Sequence, residues 1–265
     1  WAFAYPGYVA YGQPAVYGGR VYVTTLAGRI FALDAATGCT DWSYDNKVPS
    51  RTAISAGPIA TPGGSSLAVW FGDDSGAVTA LDAASGKLLW RTQVDGHVRA
   101  QITGSPKLHD DRLYVPVSSL EEAAGIDPAY KCCTFRGSVA ALDAANGKIL
   151  WKSYTVKDEP RPFKNAKGQD LLGPAGVSVW ASPTVDTKRG AIYATTGNAY
   201  TDINVDDSDA IIAIDMATGA RKWVFQALVG DHYLFGCDTP VGVNCPSSQG
   251  PDLDFYTSPI LRNLP

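Results

Sequence analysis

The residues of this chain that could do chemistry stand in irregular segments between repeats. Glu121-Glu122, Cys132-Cys133, Trp180, Asn198 and Asp252-Leu253-Asp254 bring acid, amide, thiol and indole groups into its lengthened third and fourth units and the segment that follows. Several familiar chemistries are ruled out by pattern. There is no GxSxG elbow, phosphate loop, HExxH or helix-opening GxGxxG. His97, His109 and His232 fall in predicted loops without ligand spacing. None of the five cysteines lies in a CxxC, so a zinc cage or c-type haem attachment is unsupported. An oxidising compartment would suit Cys237 and Cys245 as a small disulfide loop, leaving Cys39, Cys132 and Cys133 to share one bond.

The elements that must position these groups are written in a repeated phrase. Phe31-Ala-Leu-Asp-Ala-Ala-Thr-Gly-Cys-Thr-Asp-Trp42 recurs as Thr79 to Trp90, Ala140 to Trp151 and Ile212 to Trp223, always with eight residues from Asp to Trp. Trp1 occupies the same place in a unit whose earlier strands are not in the sequence. The spacing between successive tryptophans grows from 41 to 48, 61 and 72, so the unit is fixed while its loops vary. A period of about 40 residues with a recurring hairpin marks a repeat array, most often a propeller. Each unit reads as four strands, with the turn glycine placed where a hairpin needs positive φ. The expected fold is therefore all-β: a β-propeller of four-stranded antiparallel blades, about four of them here. The units fall roughly at 1–42, 43–90, 91–151 and 152–223, with the next beginning in 224–265. A single blade cannot bury both faces, and open ends would leave strand edges unpaired, so residues 1–265 are expected to be part of a longer ring.

At 45% hydrophobic residues the chain can bury a large core, yet it has no run of roughly 18 apolar residues to span a membrane. Its net charge of -4, with basic residues scattered, argues against a nucleic-acid partner.

The phrase Ala-Leu-Asp-Ala-Ala-(Thr/Ser/Asn)-Gly-Lys-x-x-Trp resembles the tryptophan-docking repeat of quinoprotein alcohol dehydrogenases, eight-bladed propellers that carry pyrroloquinoline quinone (PQQ) and a metal ion. The likeness covers essentially the whole chain. Non-catalytic outer-membrane assembly propellers share the repeat, but the irregular segments are sharper. Glu121-Glu122 before Lys131-Cys-Cys-Thr-Phe-Arg-Gly-Ser138, Val179-Trp-Ala-Ser-Pro-Thr-Val-Asp186, Thr195-Thr-Gly-Asn-Ala-Tyr200 and Gly250-Pro-Asp-Leu-Asp-Phe255 are together similar to the polyvinyl-alcohol dehydrogenase branch.

The resemblance implies roles for particular residues. Trp180, outside the docking register, matches the aromatic floor under the cofactor. Arg51, Thr103, Ser118 and Arg136 match rim positions for its carboxylates. Glu121 and Asn198 match the metal ligands, with Glu122 as the fallback; oxygen-only donors suit calcium better than zinc. The catalytic base is expected to be an aspartate close to the metal, Asp254 or Asp252, with Asp254 also a candidate ligand. If Asp252 is the base, Asp254 resembles the extra carboxylate of lanthanide-using relatives, so a lanthanide stays open beside Ca²⁺. Asp231 precedes a segment in which Leu234 stands where the methanol-oxidising branch has its base. The Cys132-Cys133 pair is comparable to a vicinal disulfide over PQQ in those relatives, though one blade later; a cofactor-covering disulfide and a bond to Cys39 both stay open.

The implied function is oxidation of alcohol groups, in polyvinyl alcohol or similar secondary alcohols, with a cytochrome c as electron acceptor and a periplasmic or secreted location. The rivals are a non-catalytic propeller scaffold for protein partners, and a PQQ dehydrogenase for sugars or small alcohols.

Overall fold

A computed structural model of the chain describes residues 1–5, 9–61, 64–239 and 242–262. It is the expected all-β propeller, with four consecutive blades present. Strands β1 (Ala15–Tyr17), β2 (Arg20–Thr24), β3 (Arg29–Asp34) and β4 (Thr40–Asp45) form the first sheet, each antiparallel to its neighbour. The second comprises β5 (Ser55–Thr61), β6 (Gly64–Gly72), β7 (Ala77–Asp82) and β8 (Leu88–Gln93). In the third, the short β9 (Ala100–Gln101) pairs with the far end of β11 (Arg112–Ser119). The main path there runs from β10 (Lys107–His109) through β11 to β12 (Ser138–Asp143) and β13 (Ile149–Tyr154), with the one-turn helix α1 (Glu121–Ala124) inserted after β11. A separate hairpin, β14 (Arg161–Lys164) and β15 (Asp170–Gly173), precedes the fourth sheet. That sheet is β16 (Thr184–Asp186), β17 (Ala191–Thr195), β18 (Ala210–Asp215) and β19 (Arg221–Gln226).

Strand alternation explains why the blades stack. Along β6, Ala68 and Trp70 enter the core shared with the third blade, while Val69 and Phe71 enter the core shared with the first. Along β12, Ala140 and Leu142 face backward, and Val139 and Ala141 face forward into the core with Ile192, Ile212 and Ile214. Both faces of each middle sheet are buried, so these strands read as apolar runs. The first strands of successive blades touch in order, β1 to β5, β5 to β10 and β10 to β16, which sets them around one axis.

The repeated phrase is the joint between blades. Each aspartate caps its own hairpin: the Asp34 carboxylate accepts the amides of Ala36 (3.1 Å) and Thr37 (2.7 Å) and the Thr37 hydroxyl (2.7 Å). The tryptophan of the preceding blade then lies on that hairpin. Trp1, Trp42, Trp90 and Trp151 donate Nε1–H to the carbonyls of Ala35 (3.0 Å), Ala83 (3.0 Å), Ala144 (3.1 Å) and Met216 (3.2 Å). Each indole covers the turn glycine so closely that a Cβ there would come within 2.5 Å of the ring at Gly38 and Gly147, and 2.7 Å at Gly86 and Gly219. Trp223 is 48% exposed. Each outer strand carries the same register shift, between Ala32/Leu33, Ala80/Leu81, Ala141/Leu142 and Ala213/Ile214.

Gly19 in the β1–β2 turn and Gly86 in a docking hairpin separate two demands for glycine, a left-handed backbone and an indole packed upon it. Gly19 (φ +76°) has nothing within 4 Å of a built Cβ, so Gly19→Ala is expected to show only the left-handed backbone cost of about 1–2 kcal/mol. Gly86 (φ +69°) adds the collision with Trp42, so Gly86→Ala is expected to lose about 1–3 kcal/mol more. Denaturant unfolding of the full-length protein checks the difference.

Candidate active site

One cavity of about 510 Å³ is lined by Arg51, Thr103, Trp180, Asp252 and Asp254 of the predicted residues, and by the fallback acid Glu122. Trp180 and Tyr256, together with Tyr11, give it aromatic walls; Arg51 and Thr103 form a cationic and hydroxyl side; Glu122, Asp252 and Asp254 supply the acids. Its volume falls in the range of about 300–1,000 Å³ usual for small-molecule sites. A smaller cavity of about 160 Å³, beside the Asp207–Arg221 ion pair, has no indole and none of these acids.

Tyr11, Arg51, Thr103 and Trp180 stand just before the first strands β1, β5, β10 and β16. Thr103, Trp180 and Tyr256 each lie two residues before a Ser-Pro pair. The segment at Trp180 is tied down by Val179 N–H donating to the Val117 carbonyl (3.1 Å) and Thr103 Oγ1–H donating to the Trp180 carbonyl (3.2 Å). Gly104 lets the neighbouring segment approach, since a Cβ there would meet the Trp180 carbonyl at 2.7 Å. The Trp180 Nε1–H is buried and has no partner. Ser118 sits behind Thr103, its hydroxyl 2.8 Å from Thr103 Oγ1, and is buried rather than at the rim.

The acids are held close by backbone. Asp254 Oδ1 accepts the Asn198 amide (2.7 Å), and Gly197 makes room: a Cβ there would sit 2.5 Å from Asp254 Oδ1 and 2.8 Å from Trp180 Nε1. Asn198 donates Nδ2 hydrogens to the carbonyls of Ala199 (2.9 Å) and Tyr233 (2.9 Å), which turns its Oδ1 the other way as an acceptor. Asp252, at φ +59°, is fixed by its amide donating to Asp231 Oδ1 (3.3 Å) and that of Leu253 donating to Asp231 Oδ2 (3.0 Å). Burial, followed by the charges of Asp252 and Asp254, raises the Glu122 pKa to about 8. Burial likewise raises Asp254 to about 6, against the opposing Asn198 amide, with Asp252 and Asp231 adding repulsion. Asp252 is raised by burial and by Asp231. Such mutual repulsion is what a bound cation would relieve. Among the described residues no three His, Cys, Asp or Glu side chains already form a metal cage. The cavity instead faces oxygen donors from separate segments, with the Asn198 amide beside them.

Other expected residues lie elsewhere. Glu121 is fully buried and turned away from the cavity: Oε1 accepts from Tyr130 Oη (2.8 Å) and the Thr134 amide (2.8 Å), and Oε2 from the Phe135 amide (2.7 Å). Burial opposes its ionisation, but His97 and the two amides outweigh this and lower its pKa. Its oxygens are engaged by the chain itself, and the acid that lines the cavity is Glu122, one residue on. Arg136 is spent on Glu159 (2.6 Å) and lies over the Tyr154 ring (4.0 Å), outside the cavity. Cys132 and Cys133 are bonded to each other, and Cys39 is free and exposed. Their disulfide is buried in the core, with Cys132 lining a different cavity beside Tyr130 and Leu172. Cys237 and Cys245 are paired as expected.

Three residues were not foreseen. Tyr256 was detectable from its place before Ser-Pro, the register of Thr103 and Trp180. Tyr11, near Arg51 (5.5 Å from guanidinium carbon to ring centre), stands in the same register before Pro14, without the serine. Asp209 is fully buried with both carboxylate oxygens unpartnered; burial and the charges of Asp231 and Asp254 raise it to about 8. An aspartate just before a strand carries nothing in the sequence that marks it.

Comparison with known proteins gives consistent likenesses. A family model described as outer membrane protein assembly factor BamB matches residues 1–126 and 47–166, and one described as glucose/ethanol/alcohol dehydrogenase, beta-propeller domain, matches 117–244. A polyvinylalcohol dehydrogenase of Pseudomonas sp is 43% identical over 265 residues, and one of Sphingopyxis sp. (strain 113P3) is 45% identical over 269. Each alignment covers 100% of this chain and 41% of the relative, so the chain spans about two fifths of their length. The crystal structure of quinohemoprotein alcohol dehydrogenase from Comamonas testosteroni superposes with a TM-score of 0.61 at 24% identity, over 84% of this chain and 36% of that one. No helix among the described residues is long and apolar enough to cross a membrane.

The raised carboxyls set a pH dependence. The folded protein holds protons on Glu122 and Asp254 that the unfolded chain releases near their ordinary values of 4.5 and 3.8. The associated stability is fully present below those values and is lost as pH rises through about 6 and then about 8. Full-length protein in chelator is expected to show a falling unfolding midpoint across that window, with a smaller fall in Glu122→Gln. An equally steep fall in the variant would remove Glu122 as the source.

Proposed function

The chain belongs to the PQQ-dependent quinoprotein alcohol dehydrogenase family, and from that premise we propose that its cavity is part of the active site of an enzyme oxidising secondary alcohol groups, such as those of polyvinyl alcohol. The observation that carries this reading is the convergence of the Trp180 indole, the Arg51–Thr103 side and the Glu122, Asp252 and Asp254 carboxylates on one cavity.

The residues fit a flat, tricarboxylate quinone with a hard cation. The Trp180 indole lines the cavity with its N–H unpartnered, and Arg51 and Thr103 offer a charge and a hydroxyl to carboxylates. Glu122, Asp254 and the Asn198 Oδ1 are hard oxygen donors suited to Ca²⁺ or a lanthanide. When bound, the quinone accepts a hydride and the cation polarises the quinone carbonyl.

The chain's own residues then divide the work. Trp180 is the stacking floor, and Arg51 and Thr103 orient the ring system. Asp254, held by the Asn198 amide at the cavity wall, takes the proton from the substrate hydroxyl. Asp252 is the second carboxylate, kept in place by Asp231. The Cys237–Cys245 disulfide suits a periplasmic or secreted protein, and a cytochrome c is the expected electron acceptor. A non-catalytic scaffold would have no use for three carboxylates set against one another in a cavity, which is costly without a ligand.

Dye reduction by the full-length protein with PQQ, Ca²⁺ and secondary alcohols tests the reading. Asp254→Asn is expected to lower kcat by about 10²–10⁴-fold, Asp252→Asn by less. Trp180→Ala is expected to weaken PQQ binding about tenfold, from loss of aromatic stacking worth roughly 1 kcal/mol and the contact area beneath it. No dye reduction with any alcohol would favour the scaffold.

A further inference from the structure

We propose that Asn244 and Glu121 are positioning residues that hold the α1 turn from its two ends and thereby aim Glu122 into the cavity. The inference rests on the reading of Glu122 as a cation ligand.

A helix of four residues has no stability of its own, and α1 begins at Leu120 without a side-chain cap. Tertiary contacts must therefore fix its orientation. At the first end, Glu121 is buried among the Tyr130 hydroxyl and the Thr134 and Phe135 amides, with His97 Nε2 at 3.4 Å. Successive residues on a helix point about 100° apart, so anchoring Glu121 inward dictates where Glu122 points.

At the other end the terminal carbonyls need donors. The Gly125 carbonyl, at the C-cap, finds one in Asn244 Nδ2 (2.9 Å), whose two hydrogens also reach the carbonyls of Asp127 (3.2 Å) and Tyr130 (3.1 Å) in the segment just beyond. Tyr130 is thus shared, its hydroxyl bonded to Glu121 and its carbonyl to Asn244. The amide is delivered from far along the sequence and anchored on the spot. Its neighbour Cys245 is bonded to Cys237, and the Cys245 carbonyl accepts from Asn165 Nδ2 (3.2 Å) before the β15 strand. The disulfide thus places the group that closes the turn carrying Glu122.

Terbium titration of chelator-treated full-length protein, followed by sensitised luminescence, tests this without turnover. Asn244→Ala is expected to weaken Tb³⁺ binding about tenfold, the lower end for loss of an outer-shell partner, with an unchanged unfolding midpoint. In the Glu122→Gln background the same substitution is expected to add nothing, because its effect passes through that carboxylate. Glu121→Gln, which sets an amide among amide donors, is expected to show the same non-additivity. Unaltered affinity in Asn244→Ala, or an equal loss in both backgrounds, would overturn the positioning role alone. Unaltered affinity in Glu122→Gln would overturn the cation-site reading and this inference with it.

Discussion

The structure depends on one contact, the seat of an indole on the hairpin of the next blade. A blade of four strands has two apolar faces and little else to hold it beside its neighbour. The tryptophan supplies a large apolar plate and a single N–H, and the hairpin supplies a glycine flat enough to be covered and a carbonyl within 3.0–3.2 Å. The aspartate beneath closes that hairpin, so each joint is a local unit that recurs wherever the phrase recurs. Stability is distributed along the array, and the loops between joints can lengthen without disturbing it.

That arrangement explains why the fold was legible in the sequence and the site only in part. Asp-to-Trp spacing determines a hairpin and its partner, and nothing distant intervenes. Trp180 stood out because it breaks the docking register, and it lines the cavity as expected. Glu121 and Glu122, by contrast, are adjacent acids, and choosing between them requires knowing which way a single helical turn rolls. That is decided by Tyr130, Thr134, Phe135 and Asn244, from segments whose loops follow no repeat. Arg136 found a nearby glutamate and a tyrosine ring. Cys132 and Cys133 lie one blade later than the comparison demanded, and the core took them.

The cavity shows what the rigid frame is for. Asp254 is held by the Asn198 amide and Asp252 by the Asp231 carboxylate, the α1 turn carries Glu122 to the same cavity, and Asp209 lies buried nearby with no partner. Left to themselves these acids would spread apart or stay protonated; the blades keep them together and low in dielectric. The same confinement prepares oxygen donors for a cation. An array of identical joints thus supports one place where the sequence departs from the repeat.

Glu122, Asn198 and Asp254 are proposed to face a cation beside the Trp180 indole. Anomalous diffraction from crystals of the full-length protein grown with PQQ and Ca²⁺ or a lanthanide locates that ion directly. A peak is expected within bonding distance of Glu122, Asn198 Oδ1 and Asp254, next to the indole. A peak held by Glu121, or no peak in a cavity occupied by the quinone, would contradict it.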